Sequence, residues 1–272
     1  MIVGGDDDRR TFWQTAATFT KKLKQRRRIA VLMEEYGDWK KWLHLHEKQW
    51  RRMGFREIRY FLPKVRDKYS EDRVIDLISW ADVVFIFGGD TRKYHRYYCT
   101  KAISCALREG YLHHRKSIAG MSAGALLFPR RAIVWGSEVS AEGRARPLRL
   151  QADVARDQRC DGDLAFRMDR GLGLFGHIVV DVHFTEYGRY PRLARALSLS
   201  RRTNTDVLGI GLDADAAAIL FPDGRARTLG SGTVTLMRLV RPPKRKGRAV
   251  VEMQCLKIGD KFIWREERKS SG

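Results

Sequence analysis

The stretch SIAGMSAGALLF, Ser117 to Phe128, decides the fold. Its first five residues are a short apolar run of the kind that forms a strand buried on both faces of a parallel sheet. The run flows into Gly120-Met121-Ser122-Ala123-Gly124-Ala125, a G-x-S-x-G sequence, and then into the helical start ALLF. Strand, turn and helix in this order hold a serine on a tight bend, with its hydroxyl raised at the carboxyl end of the sheet. Small neighbours let the backbone take that bend. The N–H of Ala123, at the helix start, then faces an oxyanion developing on the group the serine attacks.

Comparable apolar runs lie on either side: Arg28 to Met33, Ile58 to Leu62, Asp82 to Phe87, Ile178 to Asp181 and Val207 to Leu212. Between them, apolar residues recur at helical spacing over Phe12 to Leu23, Trp39 to Met53, Asp72 to Trp80, Lys93 to Arg108 and Tyr190 to Leu199. Strands alternating with helices predict a doubly wound α/β architecture on a mostly parallel sheet. Trp39, Trp42 and Trp50 read as the core-facing stripe of their helix. From about Ala217 onward AAIL, TVTLMRL, AVVEMQCL and KFIW are separated by turn sequences, which predicts a C-terminal antiparallel β addition to the same domain. We therefore expect one α/β domain over 1–265 and a frayed tail over 266–272. Ala141 to Arg170 lacks periodicity, and a stretch of that length inside a domain reads as a functional lid or a mobile loop.

The chain has 272 residues, 43% hydrophobic and 31% charged, enough to bury a core and too well mixed for disorder. No apolar run reaches the length of a membrane span, and MIVGGDDDRR puts charges where a signal peptide needs apolar residues, so the expected location is cytoplasmic. Cys99, Cys105, Cys160 and Cys255 form no CxxC pair, which argues against a zinc ribbon or a disulfide framework. A net charge of +21 would attract nucleic acid or an acidic partner. The densest basic clusters, Lys21 to Arg28 and Lys244 to Arg248, carry no interleaved aromatics for stacking bases, so they read as solvated basic faces.

A serine nucleophile needs a base, and only His177 and His183 follow Ser122 in the chain. His183 ends the run Val180-Asp181-Val182-His183-Phe184 at the carboxyl edge, where α/β sites gather, whereas His177 precedes that strand and belongs at the opposite edge. His113 and His114 have no third ligand in view, and neither a metal nor a cofactor is expected. Gly88-Gly89-Asp90 closes another strand at the same edge. Its N–H groups suit the second half of an oxyanion hole, and a plain tight turn is the alternative.

Four blocks, FGGD (Phe87 to Asp90), GMSAGA (Gly120 to Ala125), GLGLFGHIVVDVHF running on to GRYPRLARAL (Gly171 to Leu197) and GIGLD (Gly209 to Asp213), resemble the cyanophycinase and peptidase E family of serine peptidases. The opening IVGGDDD and the closing CLKIGDKFIW look cyanophycinase-like too, and the third block favours that branch. The resemblance implies a three-layer, glutamine amidotransferase-like fold, often a homodimer. It implies Ser122 as nucleophile, His183 as base, Gly89 and Ala123 as the oxyanion hole, and Asp90, Thr91, Asp181, Arg189 and Arg192 at the substrate, the two arginines pairing with a substrate carboxylate. The implied reaction is exopeptidase hydrolysis of an aspartyl-linked peptide of β-Asp-Arg type. The alternatives are an Asp-X dipeptidase-like hydrolase, or a catalytically impaired member acting as a basic binding protein.

The chain departs from that pattern at several positions. Ala214 stands where cyanophycinases carry the acid that orients the histidine, leaving Asp213, Asp215 and Glu138 as candidates. Thr91 replaces a glutamine, Val182 another glutamine, and Tyr187 the first of a run of arginines. The strand GIGL is expected to end near Leu212, which frees Asp213 or, preferably, Asp215 to turn toward His183.

Overall fold

The computed structural model describes residues 1–5, 9–21, 23, 27–34, 39–63, 68–114, 116–136, 166–200, 207–241 and 250–265. The apolar runs form strands β1 (Ile2–Val3), β2 (Arg28–Leu32), β3 (Glu57–Phe61), β4 (Val83–Ile86) and β5 (Ser117–Met121), which pair in parallel in the order β1-β5-β4-β2-β3. Helices α1 (Arg9–Lys21), α2 (Trp39–Arg52), α3 (Glu71–Trp80), α4 (Thr91–Tyr98) and α5 (Lys101–Leu112) fall between them. Covered in this way, the strands are apolar at successive positions: all four residues of β4 are buried. The stretch read as one helix from Lys93 to Arg108 is two. Thr100 interrupts it because its hydroxyl accepts the Ile103 N–H at 3.2 Å, capping a fresh helix.

After β5 come the single-turn α6 (Ala123–Leu126) and the hairpin of β6 (Arg131–Trp135) with β7 (Arg167–Arg170). The end of the stretch expected as a lid is therefore strand β7, and 141–165 of it lie outside the described residues. So do Lys244 to Arg248, Cys160, Glu138 and the tail 266–272. Trp50 is buried in the core, as its stripe predicts, while the side chains of Trp39 and Trp42 lie outside the described residues.

Strands β8 (Ile178–Val182) and β9 (Leu208–Leu212) flank α7 (Tyr190–Ser200). They pair in parallel, but in a separate sheet ordered β13-β12-β9-β8. The C-terminal β segments divide between the two sheets. Strands β10 (Ala216–Leu220), β11 (Arg225–Gly230) and β14 (Lys261–Ile263) extend the large sheet antiparallel from β1, making eight strands among the described residues. Strands β12 (Val234–Arg241) and β13 (Val250–Leu256) pair antiparallel onto β9. A run buried on both faces reads alike in either sheet, which is why the sequence does not separate them. A continuous buried cluster runs from Met1 to Trp264. No helix among the described residues is long and apolar enough to cross a membrane.

Parallel strands end on one edge. The carboxyl ends of β1, β4 and β5 converge there with those of β8 and β9 through backbone bonds: Ser122 N–H to Val3 O at 2.9 Å, His183 N–H to Gly4 O at 3.3 Å and Phe184 N–H to Leu212 O at 3.1 Å.

Candidate active site

Ser122 follows β5 with φ 49° and ψ −115°, a backbone conformation that an L residue holds only when its surroundings impose it. The imposition is visible at Gly124, where a Cβ would lie 2.2 Å from the Ile86 carbonyl oxygen, so the turn packs directly onto the end of β4. His183 follows β8 and is also left-handed, at φ 44°. Its Nε2 lies 3.2 Å from Ser122 Oγ. The pair is brought together by the first strand, since Val3 holds the serine N–H and Gly4 the histidine N–H. An oxygen and an imidazole nitrogen in hydrogen-bond reach can pass a proton as the oxygen attacks.

Strand β9 ends at Leu212, as expected, and the carboxylates near it have distinct partners. Asp213, 7% exposed, accepts the Thr185 N–H at 3.0 Å on one oxygen and the Thr233 N–H at 3.1 Å on the other. It thereby ties the turn that carries His183 to the start of β12. Asp215 occupies the two-residue turn into β10 at φ 60°, and its carbonyl accepts the Ser231 N–H at 3.0 Å. Ala214 is buried, and its N–H donates at 2.8 Å to the carboxylate of Glu186, three residues after His183, a residue the sequence reading passed over.

The Gly88-Gly89-Asp90 turn lies beside the serine, and a Cβ on Gly88 would stand 3.0 Å from Ser122 Cβ and 3.6 Å from Oγ. Asp90 caps α4, accepting the Arg92 N–H at 2.9 Å and pairing with its guanidinium at 2.7 Å, so Arg92 holds its carboxyl below the usual range. Thr91 is the first residue of that helix.

The expected substrate arginines divide. The structure does not bring Arg192 or Asp181 to the site surface. Asp181 is 0% and Arg192 4% exposed, with the guanidinium fork laid on both carboxylate oxygens and its remaining nitrogen on the Gly136 carbonyl. Helix α7 packs on β8 with this side of Arg192 inward, and a charge so placed is kept only with its partner. Arg189 stays at the rim. It donates to the Val182 carbonyl at 2.6 Å, stands 3.8 Å from Asp181 and lies over the Tyr187 ring at 4.8 Å. Burial, with Arg192 close by, pushes its pKa down to about 10. Tyr187, 46% exposed, meets the His183 imidazole edge to face, with centroids 5.8 Å apart.

Among the described residues no group of three His, Cys, Asp or Glu side chains is placed to hold a metal ion. Besides Glu186, the sequence reading missed Gly5, which touches the imidazole, and Tyr94, which touches the glycine turn. Gly5 was visible only as part of IVGG, and Tyr94 carries the spacing of an ordinary core residue.

Residues 35–229 match the sequence pattern of Peptidase family S51. The cyanophycinases of Synechococcus elongatus and Thermosynechococcus vestitus are each 26% identical to the chain over 238 residues, covering 87% of it and 67% of their own length. The cyanophycinase of Trichormus variabilis is 26% identical over 185 residues, covering 68% of this chain and 54% of its own length. The chain thus spans between half and two thirds of these relatives. The crystal structure of a peptidase from an acI-B1 Actinobacterium superposes with a TM-score of 0.59 at 16% identity, covering 96% of this chain and 95% of that one, a likeness of fold.

Proposed function

The chain belongs to peptidase family S51, and from that premise we propose a serine exopeptidase that cleaves aspartyl-linked peptides, with Ser122 as nucleophile and His183 as general base. The observation that carries the reading is the 3.2 Å approach of Ser122 Oγ to His183 Nε2. Both residues are held at positive φ, and strain of this kind collects where a site must be pre-organised.

In the first half-reaction Ser122 Oγ bonds to the scissile carbonyl carbon while its proton passes to His183 Nε2. The oxyanion is taken up by the N–H groups of Ala123 and Gly89. The C–N bond then breaks, and His183 gives its proton to the leaving amine. Water, deprotonated by the same imidazole, cleaves the ester, and the proton returns to Ser122. Asp213 supports the base through the backbone of its turn, and Arg189, which lies over the Tyr187 ring, offers a positive charge for a substrate carboxylate.

Tyr187 sets an aromatic ring beside the imidazole, and assay decides between β-Asp-Arg polymer ends and Asp-X dipeptides. Purified protein is incubated with cyanophycin and with a panel of Asp-X dipeptides, alongside Ser122→Ala and a fluorophosphonate that reacts with activated serines. Release of dipeptide from cyanophycin supports the polymer reading, and cleavage of Asp-X alone moves the substrate to dipeptides. A wild-type protein that cleaves neither and leaves the fluorophosphonate unreacted overturns the enzyme reading.

A further inference from the structure

The Gly88–Gly89 peptide has a fixed orientation whose cause lies below it. Tyr94 is fully buried, 0% exposed, on α4. Its hydroxyl donates to the Gly88 carbonyl at 3.1 Å and accepts the Glu34 N–H at 3.1 Å. The carbonyl of Gly88 and the N–H of Gly89 belong to one planar trans unit and point in opposite directions. With the carbonyl drawn inward to Tyr94, the N–H of Gly89 is turned away from the core. Gly88 stands against Ser122, its Cβ position 3.0 Å from Ser122 Cβ, so this peptide borders the nucleophile.

Gly89 itself adopts φ 153°, and a Cβ there would lie 2.6 Å from the Glu34 carboxyl group, so the strand end is seated on the segment that follows β2 as well as on α4. Rotating the peptide by half a turn would aim its carbonyl at the developing oxyanion. It would also leave the buried Tyr94 proton without the acceptor it now has, a costly state in a closed interior.

Resting on the peptidase reading, we propose that Tyr94 is the positioning residue of the oxyanion hole: through the Gly88 carbonyl it keeps the Gly89 N–H facing the carbonyl that Ser122 attacks. Tyr98 supplies an internal control. It is equally buried, and its hydroxyl donates to the Met33 carbonyl at 2.6 Å, where that of Tyr94 donates to the Gly88 carbonyl.

The test compares Tyr94→Phe and Tyr98→Phe with the wild type in kcat and KM on whichever aspartyl peptide the wild type cleaves, and in the rate of fluorophosphonate labelling of Ser122. Tyr94→Phe is expected to lose about 10- to 100-fold in kcat and in labelling rate at unchanged KM, less than the roughly 10²- to 10³-fold cost of deleting a donor outright. Tyr98→Phe is expected to keep both rates. A second measurement needs no variant. In wild-type protein carrying ¹⁵N-glycine, the Gly89 amide proton is expected to move downfield when the fluorophosphonate adduct forms. Wild-type rates in Tyr94→Phe, an equal loss in Tyr98→Phe, or an unmoved Gly89 amide overturns the assignment of Tyr94 while leaving the nucleophile intact. A wild-type protein inert to peptide and fluorophosphonate overturns both.

Discussion

The imidazole of His183 rests on the bare α-carbon of Gly5: a Cβ there would stand 2.2 Å from Cε1 and 2.7 Å from each ring nitrogen. The adjacent residues hold the two backbones of the site, Val3 that of Ser122 and Gly4 that of His183. The end of β1 is therefore the template on which Ser122 and His183 are aligned. Gly5→Ala is expected to push the ring off the 3.2 Å contact and lower kcat by about 100-fold, the cost of a displacement of order 1 Å, with KM nearly unchanged. Steady-state kinetics decide it, and a variant with wild-type kcat would show that the ring does not need this bed.

The strain at Ser122 makes stability and activity move in opposite directions. Alanine keeps a Cβ at φ 49° and removes only the hydroxyl. Glycine removes the Cβ as well and releases strain of about 1–3 kcal/mol, against about 0.5–1 kcal/mol of extra chain entropy in the unfolded state. Both variants are expected to lose about 10⁴- to 10⁶-fold in turnover. Ser122→Gly is nonetheless expected to unfold at a higher temperature than Ser122→Ala, by about 1 kcal/mol of stability. Calorimetry of the two proteins checks this, and a less stable glycine variant would mean the turn is not strained.

How much of this was legible in the sequence follows from what each signal encodes. The serine turn and the strand ends are local, written in glycine spacing and in runs of buried residues, and β5 over Ser117–Met121 and the end of β9 at Leu212 fall where the sequence places them. Pairing partners are not local. Nothing in IVVDV or LGIGL says that they leave the large sheet, because a strand buried on both faces looks the same in either. The arginines show the same limit at the site: Arg189 and Arg192 lie on one sequence block, and only the packing of α7 turns Arg192 onto Asp181 and leaves Arg189 beside Tyr187. Contacts made by a bare backbone, such as Gly5 beneath His183, carry no sequence signal beyond the glycine itself.

The Asp181–Arg192 pair makes a prediction about stability rather than affinity. Removing one member of a buried pair leaves an uncompensated charge and costs about 3–5 kcal/mol. Arg192→Leu is therefore expected to lower the unfolding midpoint sharply, while KM, measured well below that midpoint, stays within about threefold of wild type, the ordinary scatter for a group that does not touch the ligand. A KM raised tenfold or more at unchanged stability would instead put the Arg192 guanidinium on the substrate.

In the proposed mechanism a carboxylate would keep His183 in the tautomer able to accept the serine proton. Three carboxylates surround the vacated position at Ala214, and their partners separate them. Asp213 has both oxygens on backbone N–H groups, so Asp213→Asn would turn an amide N–H₂ toward one of those donors. The expected result is a loss of about 1–3 kcal/mol in stability, with activity falling only as the His183 turn loosens. Glu186→Gln keeps an oxygen for the Ala214 N–H and removes the charge alone. Because Glu186 is exposed, little change in kcat is expected. Asp215 sits in the tight turn at φ 60°, where an asparagine is tolerated as well as an aspartate, so Asp215→Asn tests charge without disturbing the fold. If Asp215 orients the imidazole, kcat falls by about 10⁴-fold in that variant alone, the size of effect an aspartate-to-amide change has in a serine triad. The pH profile of kcat distinguishes this from a structural effect, because an imidazolium deprived of its carboxylate titrates at lower pH. A 10⁴-fold loss in Glu186→Gln would move the orienting role to Glu186. Wild-type rates in all three variants would make the pair Ser122 and His183 a dyad that works without any of these carboxylates.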